Sequence, residues 1–107
     1  MAYEIVLAPD AVATFKKLAA KRRAEVRDAL ELHLRHEPTR VSKSRIRRLR
    51  GLSRPQFRLR VGELRVFYDV TESEVQVLAI VSKAEAQAWL EEEGVASEGG
   101  GAREGEG

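Results

Sequence analysis

Residues 57–70 read FRLRVGELRVFYDV, and this stretch decides the fold. Apolar and polar residues alternate on both sides of Gly62 and Glu63, a pattern typical of two antiparallel strands joined by a two-residue turn. That turn places Arg60 opposite Arg65. One face of the hairpin is then apolar and suited to burial, whereas the other carries three arginines and one aromatic residue, namely Arg58, Arg60, Arg65 and Phe67.

The segments before the hairpin predict one strand and two helices. Residues 3–7 alternate as a short strand, and two amphipathic stretches follow, the first to about Ala20 and the second to Pro38. Residues 39–55 have weak periodicity and contain chain-breaking residues, so they predict a loop.

The segments after the hairpin predict one more strand and one more helix. Val75–Val81 is almost continuously apolar and favours a buried central strand, and residues 84–94 have high helix propensity. The predicted order is β-α-α-β-β-β-α. This is an α+β fold in which a two-helix hairpin packs on a mainly antiparallel four-stranded sheet and the helices cover one of its faces.

The composition limits the kind of protein this chain can be. It has 107 residues, 43% of them apolar, which suits one domain at residues 1–95 followed by a disordered acidic Gly/Glu tail at 96–107. The absence of cysteine excludes disulfides and thiolate catalysis and is consistent with a cytoplasmic location. Because no apolar run approaches ~18 residues, we expect no membrane partner.

Charge is strongly segregated along the chain. Residues 40–65 contain ten Lys or Arg and one acid, whereas residues 85–107 contain seven acids and one Arg. Because clustered cations attract polyanions, the basic middle predicts a nucleic-acid partner. The cluster includes four arginines ahead of the hairpin that we expect to grip phosphates, Arg45, Arg47, Arg48 and Arg50. The alternative is a solvated loop that improves solubility only.

The hairpin arginines predict an anion site. Two like charges facing each other in a sheet cost roughly 0.2 to 1 kcal/mol, so the Arg60 and Arg65 pair favours an anionic ligand. The alternative is that acids elsewhere, including those of the last helix, neutralise these arginines. Converging guanidinium groups would stabilise the extra negative charge of a phosphoryl transition state, with Lys83 as a proton donor. Trp89 either stacks on an RNA base, beside Phe67, or anchors its helix to the core.

Residues 3–89 resemble the RelE/ParE family of type II toxin-antitoxin toxins. The resemblance lies in the order of the elements, in the Leu-Arg-Gly sequence at 49–51, in the hairpin at 57–70 and in VLAIVSK at 77–83.

Within the RelE branch, the resemblance implies an mRNA endoribonuclease that acts on the ribosome and needs no metal or cofactor. It also implies a cognate antitoxin as partner. The family's catalytic positions fall on Arg58, Arg60, Arg65 and Lys83, and a substrate-binding aromatic position falls on Trp89. RelE proper has lysines at the first two of these positions, and arginine is a poorer proton acceptor than lysine.

Two other functions are compatible with the same resemblance. In the ParE branch the fold inhibits DNA gyrase and is not a nuclease, so the arginines would form a binding surface. The chain could also be an inactive relative that only binds RNA. Retention of four basic residues at the catalytic positions favours the nuclease.

Overall fold

The structure is a computed structural model that describes residues 2–97. Ten helices and strands follow one another along this part of the chain. They are β1 (Glu4–Leu7), α1 (Pro9–Lys17), α2 (Ala20–Leu34), β2 (Ile46–Arg48), β3 (Leu52–Arg54), β4 (Phe57–Val61), β5 (Leu64–Val70), β6 (Glu74–Ser82), α3 (Ala86–Glu93) and β7 (Val95–Ala96), with one 3-10 turn at Lys83–Glu85 between β6 and α3.

The main sheet has five strands in the order β1-β6-β5-β4-β2. Only the β1 and β6 pair is parallel, so the prediction of a mainly antiparallel α+β fold is confirmed. The strand count of four was wrong, and so was the loop at 39–55, because that segment contains β2 and β3. Each of these strands is three residues long, too short for a periodic signal, and forms by pairing with a distant strand.

The central strand is β5, not Val75–Val81 as the sequence predicted. Those residues belong to β6, which lies between β1 and β5 and is therefore paired on both edges. A continuous apolar run indicates burial on two faces, and β6 shares an interior position in the sheet with β5 and β4. The sequence pattern could not rank the interior strands.

The β4–β5 hairpin has the predicted register. Val61 pairs with Leu64 and Arg60 pairs with Arg65. Gly62 has a φ of +57°, in the left-handed region that glycine adopts without strain. The register fixes which side chains share each face of the sheet.

The core lies between the sheet and the first two helices. Three residues of α2 are buried there, together with the alternate residues of β4 and β5 that the sequence assigned to the apolar face. The set is Val26, Leu30, Leu34, Phe57, Leu59, Val61, Val66 and Tyr68. The Tyr68 hydroxyl donates a hydrogen bond of 2.6 Å to the carbonyl of Pro38. This bond ties the connection after α2 to the centre of the sheet.

The opposite face is partly covered by α3, so the expectation that all helices lie on one face was wrong. Trp89 of α3 stacks on Phe67 of β5, with ring centroids 5.0 Å apart. The ribbon formed by β3 and β7 adjoins this helix, and it includes Ala96, the first residue of the predicted tail. Residues 98–107 of that tail lie outside the described residues.

None of the helices within 2–97 is long and apolar enough to cross a membrane.

Candidate nucleic-acid interface

Four arginines share the face of the sheet that α3 partly covers. Arg47 of β2 pairs with Arg58 of β4, and Arg60 of β4 pairs with Arg65 of β5. Because residues that pair across strands lie on the same face, the short strand β2 adds one guanidinium to the three of the hairpin. We call Arg47, Arg58, Arg60 and Arg65 the arginine face.

Arg58 is the most constrained member of the arginine face. Its Nε is buried and has no hydrogen-bond partner in the described part of the chain. Burial lowers the pKa of Arg58, and the neighbouring charges of Arg47, Arg65 and Arg60 lower it further. A buried donor without a partner costs free energy, so this site favours an anion that accepts its hydrogen bond.

Arg65 is held by the turn of the hairpin. Its side chain is only 8% exposed, and its Nη1 donates hydrogen bonds of 2.9 Å to the carbonyls of Gly62 and Leu64. These bonds fix the guanidinium next to Arg60 and satisfy part of its hydrogen-bonding capacity without neutralising its charge. Arg65 therefore has a structural role as well as an electrostatic one.

The acids of the described residues do not neutralise the arginine face. Four ion pairs form within residues 2–97, and none of them includes one of its four members. The pair at the far end of the sheet joins Arg54 to Asp69, with 3.5 Å between Nε and Oδ2. Neutralisation by the last helix is therefore not found in this part of the chain, and the arginines concentrate positive charge on one surface.

Lys83 lies beside the turn end of the arginine face. Its backbone N–H donates a 2.7 Å hydrogen bond to the carbonyl of Glu63. It follows two residues after Val81, which pairs with Arg65. Its side chain is exposed. The predicted proton donor is thus on the same end of the sheet as Arg60 and Arg65.

The two aromatic residues predicted to bind substrate, Phe67 and Trp89, stack on each other. Phe67 is 1% exposed beneath Trp89, and their rings are nearly parallel, with an angle of 6° between the planes. The alternating pattern that placed Phe67 on the open face did not reveal that α3 would cover it, and contact of Phe67 with substrate stays a prediction. One face of Trp89 is also taken, which supports the alternative that Trp89 anchors its helix.

The other three arginines that precede the hairpin lie at different places around β2, and Arg45 is next to Arg60 of the arginine face. The guanidinium of Arg48 lies 5.1 Å from the centroid of the Phe57 ring, on the core side of the sheet. Arg45 lines a cleft with His33 at the edge of β2, and Arg50 lines another beside α3. Arg47, Arg48 and Arg50 nevertheless line one common pocket, so the structure keeps together part of the group that the sequence predicted. Among residues 2–97, no three His, Asp or Glu side chains are grouped to hold a metal ion.

Comparison with known proteins supports a RelE relationship through structure. No protein-family model matches the sequence, and no curated protein matches it. The archaeal RelE of the RelE-RelB complex from Pyrococcus horikoshii is 25% identical, with a TM-score of 0.58, and the match covers 78% of this chain and 97% of that one. A RelE of a RelBE toxin-antitoxin complex from Mycobacterium tuberculosis is 26% identical, with a TM-score of 0.58 and coverage of 77% and 99%. The chain has the RelE fold. The resemblance to the RelE toxins is confirmed.

The RelE-like chain thus carries its basic residues on the sheet in a pattern that sequence reasoning found only in part. The hairpin residues were identified by their alternation. Arg47 was predicted to bind phosphate from a loop, whereas it lies on a strand directly opposite Arg58. The signal that could have placed it is the alternation of Arg45, Ile46 and Arg47, which is too short to distinguish from chance.

Proposed function

We propose that this RelE-like chain is the toxin of a type II toxin-antitoxin system and that it cuts mRNA on the ribosome. The observation that carries the proposal is the arginine face, whose four members lie together and form no ion pair within residues 2–97. A phosphodiester oxygen is a suitable acceptor, because guanidinium and phosphate form short, charge-assisted hydrogen bonds. The two RelE relatives are both toxins in complexes with an antitoxin.

The reaction we propose uses the RNA as its own nucleophile. The 2′-hydroxyl oxygen bonds to the adjacent phosphorus, and the bond from phosphorus to the 5′ oxygen breaks. The products are a 2′,3′-cyclic phosphate and a 5′-hydroxyl. Negative charge rises on the phosphoryl oxygens in the transition state, and the arginine face stabilises it electrostatically.

Proton transfer is divided between the chain and its surroundings. Arginine stays protonated near neutral pH, so Arg58 and Arg60 bind and orient the phosphate without accepting a proton. We assign Lys83 to the leaving 5′ oxygen, to which it donates a proton. The proton of the 2′-hydroxyl passes to a group of the ribosome, and for this reason the chain would need the ribosome. The proposal includes no metal and no cofactor.

We also infer the partners of the chain from the arginine face. A cognate antitoxin would inhibit the chain by covering the arginine face, and RelB is the partner in the complexes of both relatives. Because substrate, ribosome and antitoxin meet in the cytoplasm, we place the chain there. ParE-type inhibition of gyrase gains no support from these two relatives, which are RelE proteins.

The experiment adds the purified chain to ribosomes programmed with a defined mRNA and maps the new 3′ ends by primer extension. We expect cuts at the decoding position and none in free RNA. Arg60→Gln should slow cutting by about 100-fold, as loss of one transition-state donor commonly does. Arg60 is exposed, so the variant should fold. The matched control is Arg22→Gln, which removes an exposed arginine of α2 that is paired with Glu25.

Intact mRNA with the unmodified chain would overturn the nuclease proposal. Equal cutting by Arg60→Gln and Arg22→Gln would remove the arginine face from the mechanism.

A further inference from the structure

A cleft lies at the edge of the sheet where β2 meets the end of α2. Its volume is about 520 Å³. Apolar lining comes from Leu32, which is 76% exposed, and from buried Ile46. Polar lining comes from groups that bind phosphate or sugar in many proteins, including His33, Ser44 and Arg45. A cleft with an apolar part and a cationic rim suits a nucleotide.

Arg45 connects this cleft to the arginine face. The backbone N–H of Arg60 donates a 2.9 Å hydrogen bond to the carbonyl of Arg45, which extends the row of Arg65 and Arg60 by one more position. The row crosses β5, β4 and the start of β2, about 10 Å over two interstrand spacings. Within the cleft, Arg45 lies close enough to His33 to affect its ionisation. Burial lowers the pKa of the His33 imidazole, and the positive charge of Arg45 lowers it further.

The cleft has one uncompensated cation among its charged residues. Arg40 is balanced by Glu37, with 3.0 Å between Nη1 and Oε1. Arg45 takes part in none of the ion pairs formed within residues 2–97. Its backbone is fixed, because the Ser42 hydroxyl accepts the N–H groups of Arg45 and Ile46 at 3.1 and 3.2 Å. The backbone from which the Arg45 side chain extends is therefore set before any ligand binds.

We propose that this edge cleft binds the flanking nucleotides of the single-stranded RNA whose scissile phosphate lies on the arginine face. The inference rests on the proposed function and adds a second contact to it. Arg45 holds a phosphate at the rim, and an unpaired base lies against Leu32 and His33. The edge of β2 is thus part of the RNA path, and the footprint extends from the middle of the open face around the edge of the sheet.

The experiment compares two labelled, unstructured RNA oligonucleotides of about four and about ten nucleotides, a range covered by known single-strand sites. Fluorescence anisotropy measures the affinity of each at several salt concentrations. Arg45→Gln should weaken binding of the longer RNA about fivefold to tenfold and should reduce the slope of log K against log salt by about 0.7, the value for one phosphate contact on a single strand. The shorter RNA should change less than twofold.

Ser44→Asp provides a second variant, in which a new negative charge at the cleft weakens binding of the longer RNA only. Arg22→Gln is the matched control and should leave both affinities within twofold. Arg58→Met tests the proposed function separately, because it should weaken both RNAs. The cleft proposal is overturned if Arg58→Met weakens both RNAs while Arg45→Gln and Ser44→Asp weaken neither, or weaken both equally. If Arg58→Met changes neither, the arginine face itself is wrong.

Discussion

Arg58 lies directly opposite Arg47 across the β2 and β4 pair, and no carboxylate among residues 2–97 forms an ion pair with either of them. Two like charges in this arrangement oppose folding. The arrangement is retained in a chain that has 17 acidic residues available to neutralise it. We interpret the repulsion as a cost of folding that is recovered when a polyanion binds.

Replacing Arg58 should therefore stabilise the protein while weakening its binding of RNA. Arg58→Met keeps an apolar stem and removes the buried Nε, so we expect the free energy of unfolding at low salt to rise by roughly 0.2 to 1 kcal/mol. Urea denaturation measures it. The gain should shrink in about 1 M salt, where the Debye length falls to about 3 Å.

The control for this prediction is Arg22→Met, which breaks the exposed pair with Glu25 and should not stabilise the protein. If Arg58→Met is instead the less stable of the two variants at low salt, repulsion on the arginine face is not significant.

Trp89 should matter for stability more than for RNA binding. Its stacking on Phe67 attaches α3 to the sheet, so Trp89→Ala should lower the free energy of unfolding by about 1 to 3 kcal/mol. Trp89→Phe preserves an aromatic contact and should keep most of that stability, with RNA affinity within twofold of the unmodified chain. A variant Trp89→Phe that folds normally but binds RNA tenfold more weakly would favour base stacking by Trp89.

The partly buried carboxyl of Asp69 should make the stability of the protein depend on pH. Burial raises its pKa, although the Gln56 N–H, which donates to Oδ1 at 2.8 Å, and the charge of Arg54 oppose the shift. A carboxyl whose pKa is higher in the folded state contributes stability below its unfolded pKa, and this is lost as the pH rises through the folded value.

Asp69→Asn keeps an acceptor for the Gln56 N–H and cannot ionise, so it should be at least as stable as the unmodified chain at neutral pH. This advantage should disappear at about pH 2 to 3, where the aspartate is protonated in both states. Thermal unfolding across the pH range measures the difference. An advantage that grows towards acid pH would mean that Asp69 is stabilising as a carboxylate.

The protein should lose stability when only the hydroxyl of Tyr68 is removed. Tyr68→Phe leaves the carbonyl of Pro38 without its donor, which should lower the free energy of unfolding by about 1 to 2 kcal/mol. Tyr3→Phe is the matched control, because the Tyr3 hydroxyl makes no hydrogen bond with a side chain or backbone group within residues 2–97. Equal stability of the two variants in urea would show that the buried bond contributes nothing.

The hairpin could be predicted from the sequence because its information is local. Alternation and one glycine set the register, and the register put Arg60 opposite Arg65 and separated the apolar face from the basic one. The resemblance to RelE rested on the same residues. The short strands β2, β3 and β7 could not be predicted, because two or three residues carry no period.

The α+β class, the register of the hairpin and the excess of cations on its open face were therefore predictable from local sequence patterns. The tertiary structure decided which cations act together and which aromatic residues remain accessible. Pairing between β2 and β4 places Arg47 beside Arg58, Arg45 lines the edge cleft, and α3 covers Phe67. These outcomes depend on contacts between distant segments, which form only when the whole chain packs and which local periodicity does not encode.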